Sequence, residues 1–342
     1  MINVEYHADL KEVQCDALLS RVLSPTVQHA PFDRLEWWQG LADHCGFVPK
    51  LAVARDGEAI AVLPLAQDGG KLTSLSNWYT FRFRPVFSST DHNPGLLAAL
   101  ASDLANHTHR IVLSSIPGED SSAVALEQAF RDAGWFVLKE ECDTNHVLPV
   151  AGRSWEEYKA GLPGKLRTTL KRKTGKVDCR VLTHFDADVW RDYEEIYNSS
   201  WKPEEGSPDF VRAFAKAEGS AGRLRLAVAY AKDASFDGKA IAAQMWSVEG
   251  GTAFIHKLAH REDAKPLSPG SVLSAALFAH VIDEDKVDLV DFGTGDDPYK
   301  RDWMEHVRTR YKLDMMRPSS PQNWLNLAKT GLQRLAGRNK HV

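Results

Sequence analysis

Residues 51–61 read LAVARDGEAIA, and residues 226–242 read LAVAYAKDASFDGKAIA. In each copy an apolar run leads to an Asp-Gly pair, and a second apolar run follows it. Asp-Gly between two such runs is a strong signal for a β-hairpin, because a tight hairpin turn needs residues that accept positive φ. The second copy begins 175 residues after the first and has six extra residues before its Asp-Gly pair. The sequence therefore predicts the same hairpin twice.

The repeat extends beyond the hairpin. Pro94-Gly95 opens an Ala- and Leu-rich segment that leads to an apolar run at 111–113. Pro269-Gly270, again 175 residues later, opens a similar segment that leads to an apolar run at 287–290. Proline suits the first position of a helix, and a period this long is not that of a solenoid. We predict an α/β (α+β) fold of two tandem domains, each a mixed, largely antiparallel sheet covered by helices.

Pro149 and Gly152 interrupt the pattern between the copies. We therefore predict one domain over residues 1–148, a second over residues 149–318, and a basic amphipathic tail helix over residues 319–342. The tail has two interpretations: it docks on the protein, or it makes peripheral contact with an anionic membrane.

Composition limits the function classes. The chain has 342 residues and a net charge of −4, so we expect no nucleic-acid partner. Residues 1–150 carry 11 basic and 19 acidic residues, which leaves 31 basic and 27 acidic residues in the remainder. An anionic substrate would be drawn to the second half. Scattered cysteines, no secretory signal and no long apolar span predict a cytoplasmic protein with no metal site.

The second copy has two segments that could bind a ligand. Ser268, Pro269, Gly270 and Ser271 predict a helix start, with Ser268 as N-cap. Its exposed N–H groups and helix dipole suit a pyrophosphate, and an ordinary capped helix is the alternative. Residues 162–176 carry six basic residues, including Lys165 and Arg167, and no acid. This segment is a solvated face or a contact for phosphate or an anionic sugar carrier.

A third segment starts where an apolar strand ends. Asp291 is followed by a turn with Gly293 and Gly295, and strand ends are where α/β sheets present ligand-binding groups. The first copy has Ser115-Ile116-Pro117-Gly118 at this point, and no Tyr-Lys-x-x-Trp follows it. Folding therefore does not require the second-copy residues, which favours a site over a plain turn.

The combination resembles the GNAT superfamily of acyltransferases, and within it the Fem-like, CelD-type acetyltransferases of cellulose and exopolysaccharide biosynthesis. The resemblance is carried by the basic residues 164–173, the helix start at 267–270, the Asp291–Asp296 turn, Tyr299-Lys300 and Trp303. It implies a coenzyme A thioester, acetyl-CoA or another acyl-CoA, as donor. The GNAT phosphate loop of spaced glycines is absent here.

The resemblance also implies roles for side chains. Tyr299 matches the GNAT tyrosine that protonates the leaving thiolate, and Asp291 would orient the acceptor amine or take its proton. Lys300 would hold donor or acceptor charge, and Asp296 and Trp303 would contact substrate. His256, on a strand predicted over residues 252–258, could deprotonate the acceptor; a core or surface histidine is the alternative. The cradle at Ser268–Ser271 would hold the donor, and Lys165 and Arg167 the acceptor.

Three functional hypotheses follow. The first is transfer of an acyl group from coenzyme A to an amino sugar or other amine of an exopolysaccharide precursor, with O-acylation also open. The second is a non-catalytic protein that binds a nucleotide or a partner. The third is Fem-like transfer from an aminoacyl-tRNA or a carrier-protein thioester.

Overall fold

The computed structural model describes residues 2–89 and 93–329. In each half, a strand and helices lead to three consecutive strands, to which the first half adds the two-residue strand Val86–Phe87, and a helix, a strand, a helix and a last strand follow. The elements of the first copy are β1 (Asn3–His7), α1 (Leu10–Cys15), α2 (Ala17–Val22), α3 (Leu35–Cys45), β2 (Pro49–Asp56), β3 (Ala59–Asp68), β4 (Lys71–Ser74), β5 (Val86–Phe87), α4 (Pro94–Leu104), β6 (Arg110–Pro117), α5 (Ser122–Asp132) and β7 (Phe136–Pro149). The elements after β7 are α6 (Trp155–Gly161), α7 (Gly164–Lys173), β8 (Val177–Leu182), α8 (Ala187–Asn198), α9 (Pro208–Ser220), β9 (Leu224–Ala231), β10 (Ala240–Glu249), β11 (Thr252–His260), α10 (Pro269–Asp283), β12 (Leu289–Thr294), α11 (Pro298–Arg301) and β13 (His306–Met316).

Both Asp-Gly hairpins form, as β2–β3 and β9–β10. Gly57 has a φ of +61° in the first turn, and Asp237 and Gly238 have φ of +50° and +72° in the second. The extra residues of the second copy fold as a short 3₁₀ segment, Ala234–Phe236, before the turn. The repeat in the sequence is therefore a repeat in the structure.

Contacts divide the described chain into two units. Unit 1 comprises residues 2–28, 32–143 and 308–329, and unit 2 comprises residues 29–31 and 144–307. In unit 1 the strands follow the order β1-β2-β3-β4-β6-β13, with the first part of β7 beside β13. The pair β4–β6 is parallel, while β1–β2, β2–β3, β3–β4 and β6–β13 are antiparallel. Leu100 of α4 and Phe130 of α5 pack with strand residues in one buried core.

Unit 2 has the corresponding sheet. Its strand order is β7-β12-β11-β10-β9-β8, with a parallel β11–β12 pair and antiparallel neighbours. Ala253 and Ile255 of β11 share a core with α6, α7 and α10. On the other face of the sheet, His256 and Lys257 contact rings of α9 and α8, respectively. Helices therefore cover both faces, as expected for a mixed α/β unit.

The ends of β7 and β13 do not follow the domain boundaries expected from the sequence. Within unit 2, Val147 of β7 pairs with Asp291 of β12. Within unit 1, Leu313 of β13 pairs with Leu113 of β6. The predicted boundaries at residues 148 and 318 would place these parts of β7 and β13 in the other domain. The two units instead divide between residues 143 and 144 and between residues 307 and 308. The functional division into domains stays a prediction.

Only the first part of the expected tail lies within the described residues. The buried Asn323 side chain donates to the carbonyl oxygen of His109 at 2.7 Å, which fixes the start of the tail on unit 1. Residues 324–329 are helical, with Trp324 60% and Leu325 82% exposed. Residues 330–342, which complete the predicted amphipathic helix, lie outside the described residues. Within residues 2–89 and 93–329, no helix is long and apolar enough to cross a membrane.

Candidate active site

β11 and β12 pair over three residues and then separate. The last pair joins Phe254 to Asp291, although β11 continues to His260 and β12 to Thr294. The two strands are parallel, so the opening lies between their carboxyl ends. This is the edge at which open α/β sheets bind ligands.

A β-bulge in β11 lies at the start of this opening. Met245 of β10 faces Lys257, but the next residue, Trp246, faces Ile255, so His256 is the extra residue. A bulge bends its strand and re-aims side chains. As a result, the neighbours His256 and Lys257 both contact the helices on the α8–α9 face instead of alternating between faces.

The two side chains have different environments. His256 Nε2 lies 2.7 Å from the Ser247 hydroxyl oxygen, and its ring meets Phe214 edge-on at 4.9 Å. Its expected part in acceptor deprotonation stays a prediction. Lys257 donates to Glu205 Oε1 at 2.8 Å, and these two side chains are 5% and 9% exposed. Burial lowers the pKa of Lys257 to about 8, and the nearby Glu205 carboxylate acts in the opposite direction.

A cavity of about 450 Å³ opens between α8, residues 199–207 and α9. Aromatic rings and acidic side chains dominate its wall. The lining includes Trp190, Tyr193, Tyr197, Glu194, Glu204, Glu205 and Lys202. Ring faces and carboxylates both attract cations. We call this cavity the aromatic-acidic pocket.

Residues 199–207 connect this pocket to the turn after β12. Burial lowers the pKa of Lys202, which lines the pocket, and the charges of Asp297 and Glu205 oppose that shift. Asp297 Oδ2 accepts a hydrogen bond from the Tyr299 hydroxyl at 3.4 Å. Burial, followed by the Asp297 charge, raises the pKa of Tyr299 above its usual value. The phenol therefore keeps its proton throughout the neutral range.

The Asp291 carboxylate has two hydrogen-bond donors within the protein. The side chain is 6% exposed, and its Oδ1 accepts from the Asn145 amide at 2.7 Å and from the Gly293 N–H at 2.8 Å. Gly293 has a φ of +72°, so this hydrogen bond fixes the left-handed turn that leads to Tyr299. Asp291 therefore holds the turn, and its expected role toward the acceptor amine stays a prediction.

Lys300 and Asp296 also bind within the protein. Lys300 is buried, and its Nζ donates to the carbonyl oxygen of Thr294, which closes the turn before α11. Asp296 forms an ion pair with Arg301 and lies 3.0 Å from His146 Nε2. Both side chains shape the turn, and a direct contact with substrate stays a prediction.

Trp303 lies in the core rather than at a surface. It is 5% exposed, and its ring stacks on Phe278 at 4.8 Å with the planes 4° apart. Its carbonyl oxygen accepts from the Tyr158 hydroxyl. The ring therefore packs in the core, and its expected contact with substrate stays a prediction.

α10 begins where the sequence predicts it, but the predicted N-cap hydrogen bond of Ser268 is absent. Pro269 is the first helical residue, but Ser268 has a φ of +50° and makes no capping hydrogen bond. In the sheet under α10, Gln244 of β10 donates to the carbonyl oxygen of Gly270 at 3.1 Å and to Ser274 Oγ at 2.8 Å. A helix start without a side-chain cap leaves its first N–H groups to solvent or a ligand. Donor binding by Ser268, Pro269, Gly270 and Ser271 stays a prediction.

The basic segment forms α7, as its i, i+4 leucines indicate. Leu166 and Leu170 are buried against α10, while Lys165 and Arg167 are exposed. Arg167 lines a second cavity, between α7 and α10, on the face of the sheet opposite the aromatic-acidic pocket. Acceptor binding by Lys165 and Arg167 stays a prediction. In the described part of the chain, no group of three or more His, Cys, Asp or Glu side chains is placed to bind a metal.

The Lys257–Glu205 pair and the position of Lys202 at the pocket were not predicted from the sequence. The partners are 52 residues apart, and no local motif joins them. The available signal was the charged run Lys202–Glu205, which follows a helix with an aromatic stripe.

Residues 164–301 match a family described as an acetyltransferase (GNAT) domain. No match was found among curated proteins. Among solved structures, the chain is similar to FemX at 11% identity, over 90% of this chain and 96% of that chain, with a TM-score of 0.58. It is similar to L-PGS from Bacillus licheniformis at 14% identity, over 94% and 96% of the two chains, with a TM-score of 0.57.

A further similar structure is a tandem GNAT protein from the clavulanic acid biosynthesis pathway. The identity is 14%, the covered shares are 93% of this chain and 100% of that chain, and the TM-score is 0.53. These similarities confirm the predicted fold, two GNAT-like domains in tandem. The chain thus has a GNAT-type acyltransferase fold, and the matched region extends from α7 to α11 of unit 2.

Proposed function

We propose that this protein is an N-acyltransferase that moves an acetyl or similar acyl group from coenzyme A to an amine, such as an amino sugar of an exopolysaccharide precursor. The observation that carries the proposal is the opening between β11 and β12. The start of α10 follows β11, and Tyr299 follows β12. Donor and acceptor would meet at this opening, on opposite faces of the sheet.

The donor side fits an acyl-CoA. Beyond Phe254, β11 no longer pairs with β12, and an unpaired strand edge binds extended amide groups as another strand would. The pantetheine arm of coenzyme A contains two such amides. The N–H groups at Ser268–Ser271 would hold the pyrophosphate.

The acceptor side fits an amine. The aromatic-acidic pocket offers the rings of Tyr193 and Tyr197 and the carboxylates of Glu194 and Glu204, while Glu205 is already paired with Lys257. Such a surface favours an ammonium over a neutral hydroxyl, which supports N-acylation. The cavity volume of about 450 Å³ is within the range of small-molecule sites.

The proposed step uses Tyr299 as proton donor. The thioester supplies the activated carbonyl carbon. The ammonium first loses a proton, and the neutral amine then forms a C–N bond to that carbon. The C–S bond breaks, the electron pair leaves with sulfur, and the nitrogen loses a second proton to solvent as the amide forms. Tyr299 gives its hydroxyl proton to the sulfur, and the proton lost by the ammonium replaces it through solvent. Tyr299 holds its proton at neutral pH, as a proton donor must, although its raised pKa makes it a weaker acid than an exposed tyrosine.

Two measurements test the proposal. Calorimetric titration should show saturable acetyl-CoA binding, and release of free coenzyme A thiol should depend on added glucosamine or another amino sugar. Glucose, which has a hydroxyl where glucosamine has its amine, is the matched control and should give no release. Acetyl-CoA binding without turnover on any amine would contradict the proposed catalysis and favour a binding protein.

A donor other than coenzyme A is the second candidate. The segment before α10 is a 3₁₀ helix, Glu262–Leu267, with Pro266 inside it instead of a glycine-rich loop. The fold is also similar to those of FemX and L-PGS. Failure to bind acetyl-CoA, together with acyl transfer from an aminoacyl-tRNA or a carrier-protein thioester, would replace the first candidate with this one.

A further inference from the structure

Unit 2 contains a second, larger cavity that the proposed acyl transfer does not use. Its volume is about 840 Å³, and it lies between α6, α7, α10 and β8. The aromatic-acidic pocket lies on the other face of the sheet, against α8 and α9. We call the larger cavity the α7–α10 cavity.

The floor of the α7–α10 cavity is apolar and built from small side chains. Ala275, Ala276 and Ala279 of α10 are only partly buried, and they line the cavity beside Leu170 and Val177. Cys179 also lines it, and burial raises the pKa of this thiol to about 11, so it stays uncharged. Three alanines on one helix face leave room for an elongated apolar ligand.

The rim of the cavity is positively charged. Arg167, Lys171 and Lys232 line it and are exposed. Within the described residues, the structure gives none of these three an acidic partner. A fourth lining cation, Lys159, is already paired with Glu156 at 2.5 Å. Three uncompensated cations beside an apolar floor are complementary to an anion that carries a hydrocarbon chain.

We propose that the α7–α10 cavity binds an amphipathic anion: a hydrocarbon chain along α10, with a phosphate head group held by Arg167, Lys171 and Lys232. A phosphate monoester carries a charge of about −1.5 to −2 at neutral pH, enough to engage several cations. The planar guanidinium of Arg167 suits two phosphate oxygens. The cavity shares α10 with the proposed donor site, but Arg167, Lys171 and Lys232 take no part in the proposed acyl transfer, so the two proposals can fail separately.

The test is direct binding of monoalkyl phosphates to the full chain by calorimetry. Octyl phosphate should bind saturably and about tenfold or more tighter than hexyl phosphate, because each added buried methylene strengthens binding about fourfold. Inorganic phosphate should not compete at matched concentration.

The double variant Arg167→Gln/Lys171→Gln should weaken octyl phosphate binding at least about tenfold, as expected for the loss of two charged contacts. Arg172→Gln, on the same helix and outside the lining, is the matched control and should bind as the parent does.

A second variant tests the apolar floor. Ala276→Leu narrows the cavity and keeps good helix propensity, so it should remove binding while the thermal unfolding curve persists; Ala279→Leu replaces it if the first variant does not fold. Equal affinity for hexyl and octyl phosphate overturns the proposal. So does displacement of octyl phosphate by coenzyme A combined with loss of coenzyme A binding in the Leu variant, since the cavity would then belong to the donor site. Neither readout depends on acyl transfer.

Discussion

Tyr299 is the side chain on which the proposed chemistry depends most. Its ring packs edge-on against Phe292 at 5.6 Å, and its hydroxyl reaches Asp297. The ring contact positions the residue, while the hydroxyl makes one long hydrogen bond of 3.4 Å. Removing the oxygen should therefore cost little stability, so a catalytic role can be separated from a structural one.

Tyr299→Phe should lower kcat by about 10²–10⁴-fold, the usual contribution of a positioned proton donor. Acetyl-CoA affinity, measured by calorimetry, and the thermal midpoint should stay close to those of the parent. The defect should shrink with an aryl thioester donor, whose thiolate leaves without protonation. Unchanged kcat in a folded variant would show that water or another residue protonates the thiolate.

The Lys257–Glu205 pair gives a pH-dependent prediction. Glu205 opposes the effect of burial, so Glu205→Gln should move the pKa of Lys257 below its parent value of about 8. NMR titration of the lysine side chain in the full chain measures this shift. Glu204→Gln, a neighbour that also lines the pocket, is the control and should shift the pKa less. An upward shift in Glu205→Gln would contradict the assigned pairing.

The same residue links stability to pH. An unfolded lysine titrates near pH 10.4, whereas Lys257 titrates near 8 in the folded protein. Between these values the unfolded chain binds more protons, so this residue makes the free energy of unfolding rise with pH across that window. In Glu205→Gln the rise should begin at lower pH. Denaturant titrations between pH 7 and 10 measure it.

Among the elements, two helix starts allow a matched comparison. Ser154 caps α6: its Oγ accepts from the Glu157 N–H at 3.3 Å, and Glu157 accepts from the Ser154 N–H at 2.8 Å. Ser268 occupies the same position of α10 without a capping bond and in the left-handed region. Ser154→Ala should therefore cost about 1 kcal/mol, and Ser268→Ala less than about 0.5 kcal/mol. Ser268→Gly should stabilise, because glycine accepts positive φ without strain.

Denaturant unfolding of the three variants measures these differences. Equal costs for the two alanine variants would show that Ser268 caps α10 in solution. The comparison bears on donor binding as well. An uncapped helix start leaves its N–H groups for phosphate, and a capped one does not.

The elements that the sequence predicted well are those specified by local chemistry. The Asp-Gly turns fix both hairpins through residues next to one another, and Pro269 marks the first residue of α10. Contacts between residues that are distant in the sequence were not predicted. Glu205 meets Lys257 only after α9 and two strands have folded between them. The packing of Trp303 on Phe278 is another such contact, because its motif indicates a contact with substrate and does not identify a partner in the core.

At the scale of the whole molecule, the C-terminal strand is assigned to the first compact unit. Leu313 of β13 is fully buried in the core of unit 1 and pairs with Leu113 of β6. The predicted boundary at residue 318 does not show this, because the sequence repeat does not specify which sheet the last strand joins. The repeat accounts for the order of elements and leaves the pairing of the last strand open.

This assignment predicts where a core mutation acts. Leu313→Ala should cost about 2–5 kcal/mol, as expected for a leucine removed from a packed core, and Leu113→Ala should cost a similar amount. Leu325→Ala, at a position that is 82% exposed, is the control and should have almost no effect.

Amide hydrogen exchange then shows which strands lose stability. In Leu313→Ala, protection should fall in β2, β3 and β6 of unit 1, because these strands share its core and sheet, and it should fall less in β10 and β11. If protection falls first in β10 and β11, the C-terminal strand stabilises unit 2 in solution, and the boundary at residue 318 describes the molecule better than the one at residue 307.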